Sequence, residues 1–181
     1  MLVKMWRARR VRLIPYMNNF LFTARSWKEV VQLRAQVLED LAVLRWSTSW
    51  NKSQWKSSQC LEFLGFLVDT GKGEIRVKKE RLEEIRDLGK RLVKERSRVH
   101  VRDMAAFAGK IMSVGRAVKP VCWFTRALYF LIDVTVFTGD AASIPWKIRK
   151  NFFRRCYLSQ GAQEEILWWL ENIHLWNGTK I

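Results

Sequence analysis

Cysteine is scarce in this chain. Three occur in 181 residues, Cys60, Cys122 and Cys156, far apart and with no CxxC pair. An odd, scattered set argues against a disulfide framework or a thiolate zinc site and fits a reducing, intracellular compartment, cytoplasmic or nuclear. Histidine is scarcer still: His100 and His174 are too few and too separated for a metal cluster. Acid is in deficit, with 17 Asp and Glu against 33 Lys and Arg. A long apolar run is missing as well. The most apolar stretch, ALYFLIDVTVF, is broken by Asp133, follows Arg126 and is too short to span a bilayer. The opening residues, MLVKMWRARRVR, lack the apolar centre of a secretory signal. Without one, the NGT sequon at Asn177 reads as chance.

What is present is a foldable, strongly basic chain. It is 49% hydrophobic with 10 Trp and 10 Phe, too aromatic for a disordered segment and long enough for one domain or two small ones. Its formal net charge of +16 costs self-repulsion unless a polyanion relieves it. Nucleic acid is the first partner to expect, and an anionic membrane surface the second.

Along the chain the patterns change character once. Residues 11–24 run apolar around Asn18-Asn19, which predicts two short strands and a tight turn, since Asn tolerates positive φ at hairpin tips. SWKE then opens a helix, with Ser26 as cap and Glu29 completing a capping box. Val30, Leu33, Val37, Leu41 and Leu44 form its apolar face. After the polar NKSQWKSSQ, CLEFLGFLVDTGKGEIRV predicts a strand, a turn at Gly71 to Gly73 and a second strand. From Lys78 onward the pattern is helical. Leu82, Ile85, Leu88 and Leu92 line a charged helix. VRDMAAFAGKIMSVGRAV forms a second, with Ala105, Ala108 and Gly109 small enough to admit a neighbour. Pro120 opens a third segment. Ser159 caps a fourth helix with Ile166, Trp169, Leu170 and Ile173 on one face. Trp168 and Trp169 read as core. Two runs, KMWRARRVR and KIRKNFFRR, carry base without acid. The second interleaves Lys147, Arg149 and Lys150 with phenylalanines, which suits phosphate contact plus base stacking.

The order of these elements resembles the later part of a reverse transcriptase from a retroelement of the DIRS-like or LTR type. The strand–turn–strand YMNN stands where that family carries its Y-x-D-D box. A helix, a lysine-bearing NKSQW and a strand FLGF follow in the family's order. VKKERLEEIRDLGKRL and VRDMAAFAGKIMSVGRAV look like thumb helices, and LSQGAQEEILWWLENIHLWNGTKI looks like the connection before an RNase H domain. The resemblance implies an α+β fold: a partial palm over 1–77 (two β-hairpins and a helix), a helical thumb over 78–140 and a connection over 141–181. It implies that Tyr16 and Met17 flank a primer terminus, that Lys52 lies near an incoming nucleotide, and that Leu64, Gly65 and Phe66 grip the primer. It also implies a primer–template duplex or RNA–DNA hybrid as partner.

The same resemblance exposes two departures. The family's polymerases hold two magnesium ions about 4 Å apart with clustered carboxylates. Here the metal-ligand positions are Asn18 and Asn19, whose amides bring no charge. Only 15 residues precede Tyr16, so the family's first metal-binding Asp and its fingers are expected to be absent, as is the RNase H centre. The expectation is therefore a reverse transcriptase fragment without its own catalysis and with no cofactor of its own, retaining sequence-independent nucleic-acid binding. Polymerase activity would need a complementing chain. The other readings are a non-enzymatic nucleic-acid-binding or scaffolding protein derived from such an element, and a membrane-surface protein without a membrane span.

Overall fold

A computed structural model of the protein describes residues 2–95, 97–137 and 153–181. The fold is mixed α+β, with more helix than strand. The chain divides into two compact units, Met1–Gln59 and Cys60–Ile181.

The first unit begins with a helix that the sequence reading did not expect. Helix α1 (Leu2–Ala8) buries Leu2 and Trp6 from within the basic run. Strands β1 (Arg12–Tyr16) and β2 (Asn19–Thr23) pair antiparallel, Leu13 opposite Phe22 and Pro15 opposite Phe20. That face packs on Trp6, whose ring meets Phe20 and Phe22 edge-on at 5.6 and 5.1 Å. Helix α2 (Trp27–Val43) closes the unit with Val37 and Leu41. Its start follows the expected chemistry. Glu29 N donates to Ser26 Oγ, and the Glu29 carboxylate accepts from Arg25 N, one residue before the cap. Leu44 is the exposed C-cap and not part of the buried face.

Both helices of this unit end in Schellman turns. Val11 N donates to Trp6 O and Arg10 N to Arg7 O; Trp46 N donates to Leu41 O and Arg45 N to Ala42 O. The left-handed residue of each turn is an arginine, Arg10 at φ 61° and Arg45 at φ 52°. Glycine is the usual occupant, because a Cβ there crowds the backbone. A cation facing the carbonyl end of a helix offsets part of that cost.

Among the described residues, the second unit joins a four-stranded sheet to four helices. Strands β3 (Cys60–Phe63), β4 (Phe66–Asp69) and β5 (Glu74–Val77) form a meander. One more strand lies here than expected, because Leu64-Gly65 is itself a turn. Helices α3 (Lys79–Lys94), α4 (Val101–Ser113), α5 (Arg126–Phe137) and α6 (Gln160–Asn172) pack in a ring, each touching two others. Strands β6 (Val99–His100) and β7 (Arg155–Cys156) form a short ladder beside α4. Strand β8 (Thr179–Lys180) adds to β5.

The expected apolar faces are buried: Leu82, Ile85, Leu88 and Leu92 on α3, and Ile166, Trp169 and Ile173 about α6. The close helix approach is at a different glycine from the one expected. A Cβ on Gly109 would meet nothing within 4 Å, whereas one on Gly89 would lie 3.0 Å from both Leu170 and Phe107. Polar side chains complete the packing. Both Glu165 oxygens accept from the first turn of α5, at Ala127 N and Leu128 N. Trp169 Nε1 donates to Phe124 O, and the Phe124 ring stacks on Trp168 at 3.7 Å. The Asn177 side chain has a structural role: its amide accepts from Val77 N and donates to Val77 O, pinning β8 to the sheet.

The compact units divide after Gln59, and Phe66, Ile75 and Val77 pack into the helical core, so the position 77/78 falls inside the second unit. The other expected boundary, 140/141, lies outside the described residues.

Candidate nucleic-acid interface

The hairpin tip in the first unit gathers four of the residues singled out in the sequence. Tyr16 and Asn19 face each other across the ladder, and Met17-Asn18 is the two-residue turn between them. The expected role of asparagine is shifted by one position. The positive φ falls on Met17, at 52°, and Asn19 is already the first residue of β2. A methionine in that conformation costs about 1–2 kcal/mol relative to glycine. No packing offsets this, since Met17 is 86% exposed. Tyr16 is 53% exposed beside it. The tip therefore presents an aromatic ring, a thioether and two amides to solvent.

As a magnesium site this donor set does not fit. Asn18 and Asn19 bring neutral oxygens, and among the described residues no three His, Cys, Asp or Glu side chains gather. A hard divalent cation draws its affinity from charged oxygens, and the tip has none.

Lys52 is exposed in a short 3-10 turn, Trp50–Lys52. Trp50 packs against Trp55 at 4.9 Å and remains 58% exposed. Trp27, at the start of α2, is 65% exposed and adjoins Lys28. These tryptophans were not singled out in the sequence. The signal available was their placement next to lysines in polar surroundings, which suits stacking of bases beside phosphate contacts.

Leu64, Gly65 and Phe66 belong to the second unit. Leu64 at φ 53° and Gly65 at φ 79° form the turn between Phe63 and Phe66, the two-residue pattern of a type I′ hairpin. The single strand expected across Leu64 and Gly65 gives way to this turn. Gly65 does permit a close approach, and the approaching group is Arg81 of α3. Its guanidinium sits where a Cβ on Gly65 would go, lies 5.8 Å from the Phe66 ring centre and donates to Ser113 Oγ at 2.8 Å. Arg81 is thus part of this constellation, although it was read in the sequence as one charge on a mixed helix. Nearby, Glu84 accepts from Lys110 at 2.8 Å, which holds its carboxyl below the ordinary range. Lys78 pairs with Glu62, which raises the ammonium above its ordinary value. Lys147, Arg149 and Lys150 lie outside the described residues.

Cys122 and Cys156 are free thiols. Burial pushes Cys156 up. Among the described residues, no helix is long and apolar enough to cross a membrane. No family model matches the chain, and no curated protein or solved structure was found to match it.

Proposed function

We propose that this chain is a nucleic-acid-binding module related to the reverse transcriptases of retroelements, with the first unit and the β3–β5 sheet in the place of a palm and the helices in the place of thumb and connection. The observation that carries the reading is the hairpin tip. A two-residue turn with its strained residue at Met17, between a paired Tyr16 and Asn19, holds residues of a Y-x-D-D-like box out in solvent. Backbone strain that no packing offsets is the kind of feature that persists where a surface has a task. The basic excess and the exposed Tyr16, Trp27 and Trp50 support contact with phosphates and stacking on bases.

The proposal gives the tip a binding role and no polymerase chemistry. Tyr16 and Met17 would rest against the end of a strand, while lysines and arginines follow the backbone without reading sequence. Two amides in place of two carboxylates also remove repulsion between the tip and phosphate.

Fluorescence anisotropy with a labelled RNA–DNA hybrid tests this. Affinity should fall linearly with salt on logarithmic axes, as counterion release requires. Tyr16→Ala should weaken binding about tenfold, the scale of one lost stacking contact. Absence of binding at low salt would overturn the proposal. Undiminished affinity in Tyr16→Ala and Met17→Ala would remove the tip from the interface.

A further inference from the structure

A cleft of about 300 Å³ opens at the other end of the first hairpin from its tip, between the strand ends and the start of α2. Four arginines line it: Arg9 and Arg10 from the turn after α1, Arg12 from β1, and Arg25 from the segment before α2. One acid, Glu29, and the apolar Leu33 contribute to the wall. The arginines come from both sides of the hairpin, so the cluster is built by the fold and not by the RARRVR run alone.

We propose that this cleft binds a compact oligophosphate, either free or as the polyphosphate tail of a nucleotide. The charge balance comes first. Arg9 is committed to Asp40, donating to both of its carboxylate oxygens at 2.9 and 3.1 Å. Glu29 is committed to the Arg25 and Ser26 cap. Arg10, Arg12 and Arg25 have no carboxylate partner among the described residues. Three arginines without a carboxylate partner therefore line one small space with only Glu29 against them. A guanidinium fork matches two phosphate oxygens at once, and several forks around one group favour a ligand carrying several negative charges.

Arg10 is the sharpest element. It occupies the left-handed position of a Schellman turn, where glycine would relieve strain. Arg45 stands at the corresponding place after α2, outside the cleft, and so serves as an internal control. The chemistry of the rest of the wall limits the ligand. No aromatic ring lines the cleft, so a base attached to the phosphates has nothing to stack on. Recognition would stop at the phosphates. This inference does not depend on the reverse transcriptase resemblance.

Titration calorimetry on the full chain, at constant ionic strength, would use tripolyphosphate, ATP and GTP, with sulfate as the singly centred control. All three phosphate ligands should bind with Kd values within about threefold of one another, and sulfate at least about tenfold more weakly. Arg10→Gly keeps the turn and removes the guanidinium. It should lower tripolyphosphate affinity about tenfold, and Arg12→Gln should act similarly. Arg45→Gly should leave affinity unchanged. Absence of saturable binding, equal loss in Arg45→Gly, or strong preference for one nucleotide over tripolyphosphate would each overturn the proposal. Hybrid binding that persists while tripolyphosphate fails would leave the nucleic-acid reading standing and remove this one.

Discussion

The two units of this protein carry the same excess of charge in different ways. Residues 1–59 hold 11 Lys and Arg against three Asp and Glu, and residues 60–181 hold 22 against 14, a surplus of eight in each. The smaller unit spreads that surplus over half as much chain. Its core cluster is Leu2, Trp6, Val37 and Leu41, and its one ion pair among the described residues is Arg9 with Asp40. The larger unit buries the faces of four helices and pairs many of its charges, as in Arg76 with Glu74, Arg86 with Glu83 and Lys110 with Glu84. Among the described residues, charge in the larger unit is answered in part within the fold, by five paired lysines and arginines. In the smaller unit it is left for solvent or a ligand, and that unit also holds the strained Met17 and the arginine cleft.

The comparison can be broken or sharpened by substitution. The largest effect is expected in the helical core. Phe107→Ala opens a fully buried site between α3 and α4 and should cost about 3–5 kcal/mol, read by urea denaturation with far-ultraviolet circular dichroism. A loss below about 1 kcal/mol would mean that the core collapses around the gap. In the smaller unit the key group is polar as well as apolar. Trp6 is 0% exposed and its Nε1 donates to Asp40 Oδ2 at 2.8 Å. Trp6→Phe keeps most of the volume and loses that bond, with an expected cost of about 1–3 kcal/mol. If it proves neutral, Asp40 is held by Arg9 alone.

Smaller effects run in the opposite direction. Arg10→Gly and Arg45→Gly relieve a left-handed arginine and should raise stability by up to about 1 kcal/mol, less whatever the helix dipole returns to the cation. A more stable Arg10→Gly that binds oligophosphate worse would separate strain from binding. The smallest effect is in pH. Glu84 has its carboxyl lowered by the hydrogen bond from Lys110, so the pair stabilises the fold above the ordinary carboxyl range. That contribution is lost as pH falls through the depressed folded value. Lys110→Met should flatten the acid side of the stability curve slightly, and an unchanged curve would show the exposed pair to be energetically idle.

Much of the larger unit was legible because its helices bury one face each. Leu82, Ile85, Leu88 and Leu92 recur at helical spacing, and the pattern alone places them inside. The cap at Ser159 was legible for the same local reason: Ala162 N donates to its hydroxyl. The misses were of another kind. Helix α1 was hidden because only Leu2 and Trp6 of its residues are buried, and the arginines around them dominate the pattern. The Leu64-Gly65 turn was read as strand because a leucine at positive φ has no propensity signal. At the candidate site, Tyr16, Met17, Asn18 and Asn19 were correctly grouped as a hairpin, and the strain was given to the wrong one of them. Arg81 and the arginine cleft were missed because their partners lie far off in sequence.

By itself, then, the sequence determined the basic surplus, the aromatic core content, the helical faces after Lys78 and the amide chemistry of the hairpin tip. These follow from residue type and local spacing. Tertiary structure alone decided that β3–β5 join the helical unit, that Asn177 locks the end of the chain to Val77, and that Arg9, Arg10, Arg12 and Arg25 share one cleft. Each of those depends on groups brought together across the chain, and a pairing of that kind leaves no periodicity in either partner.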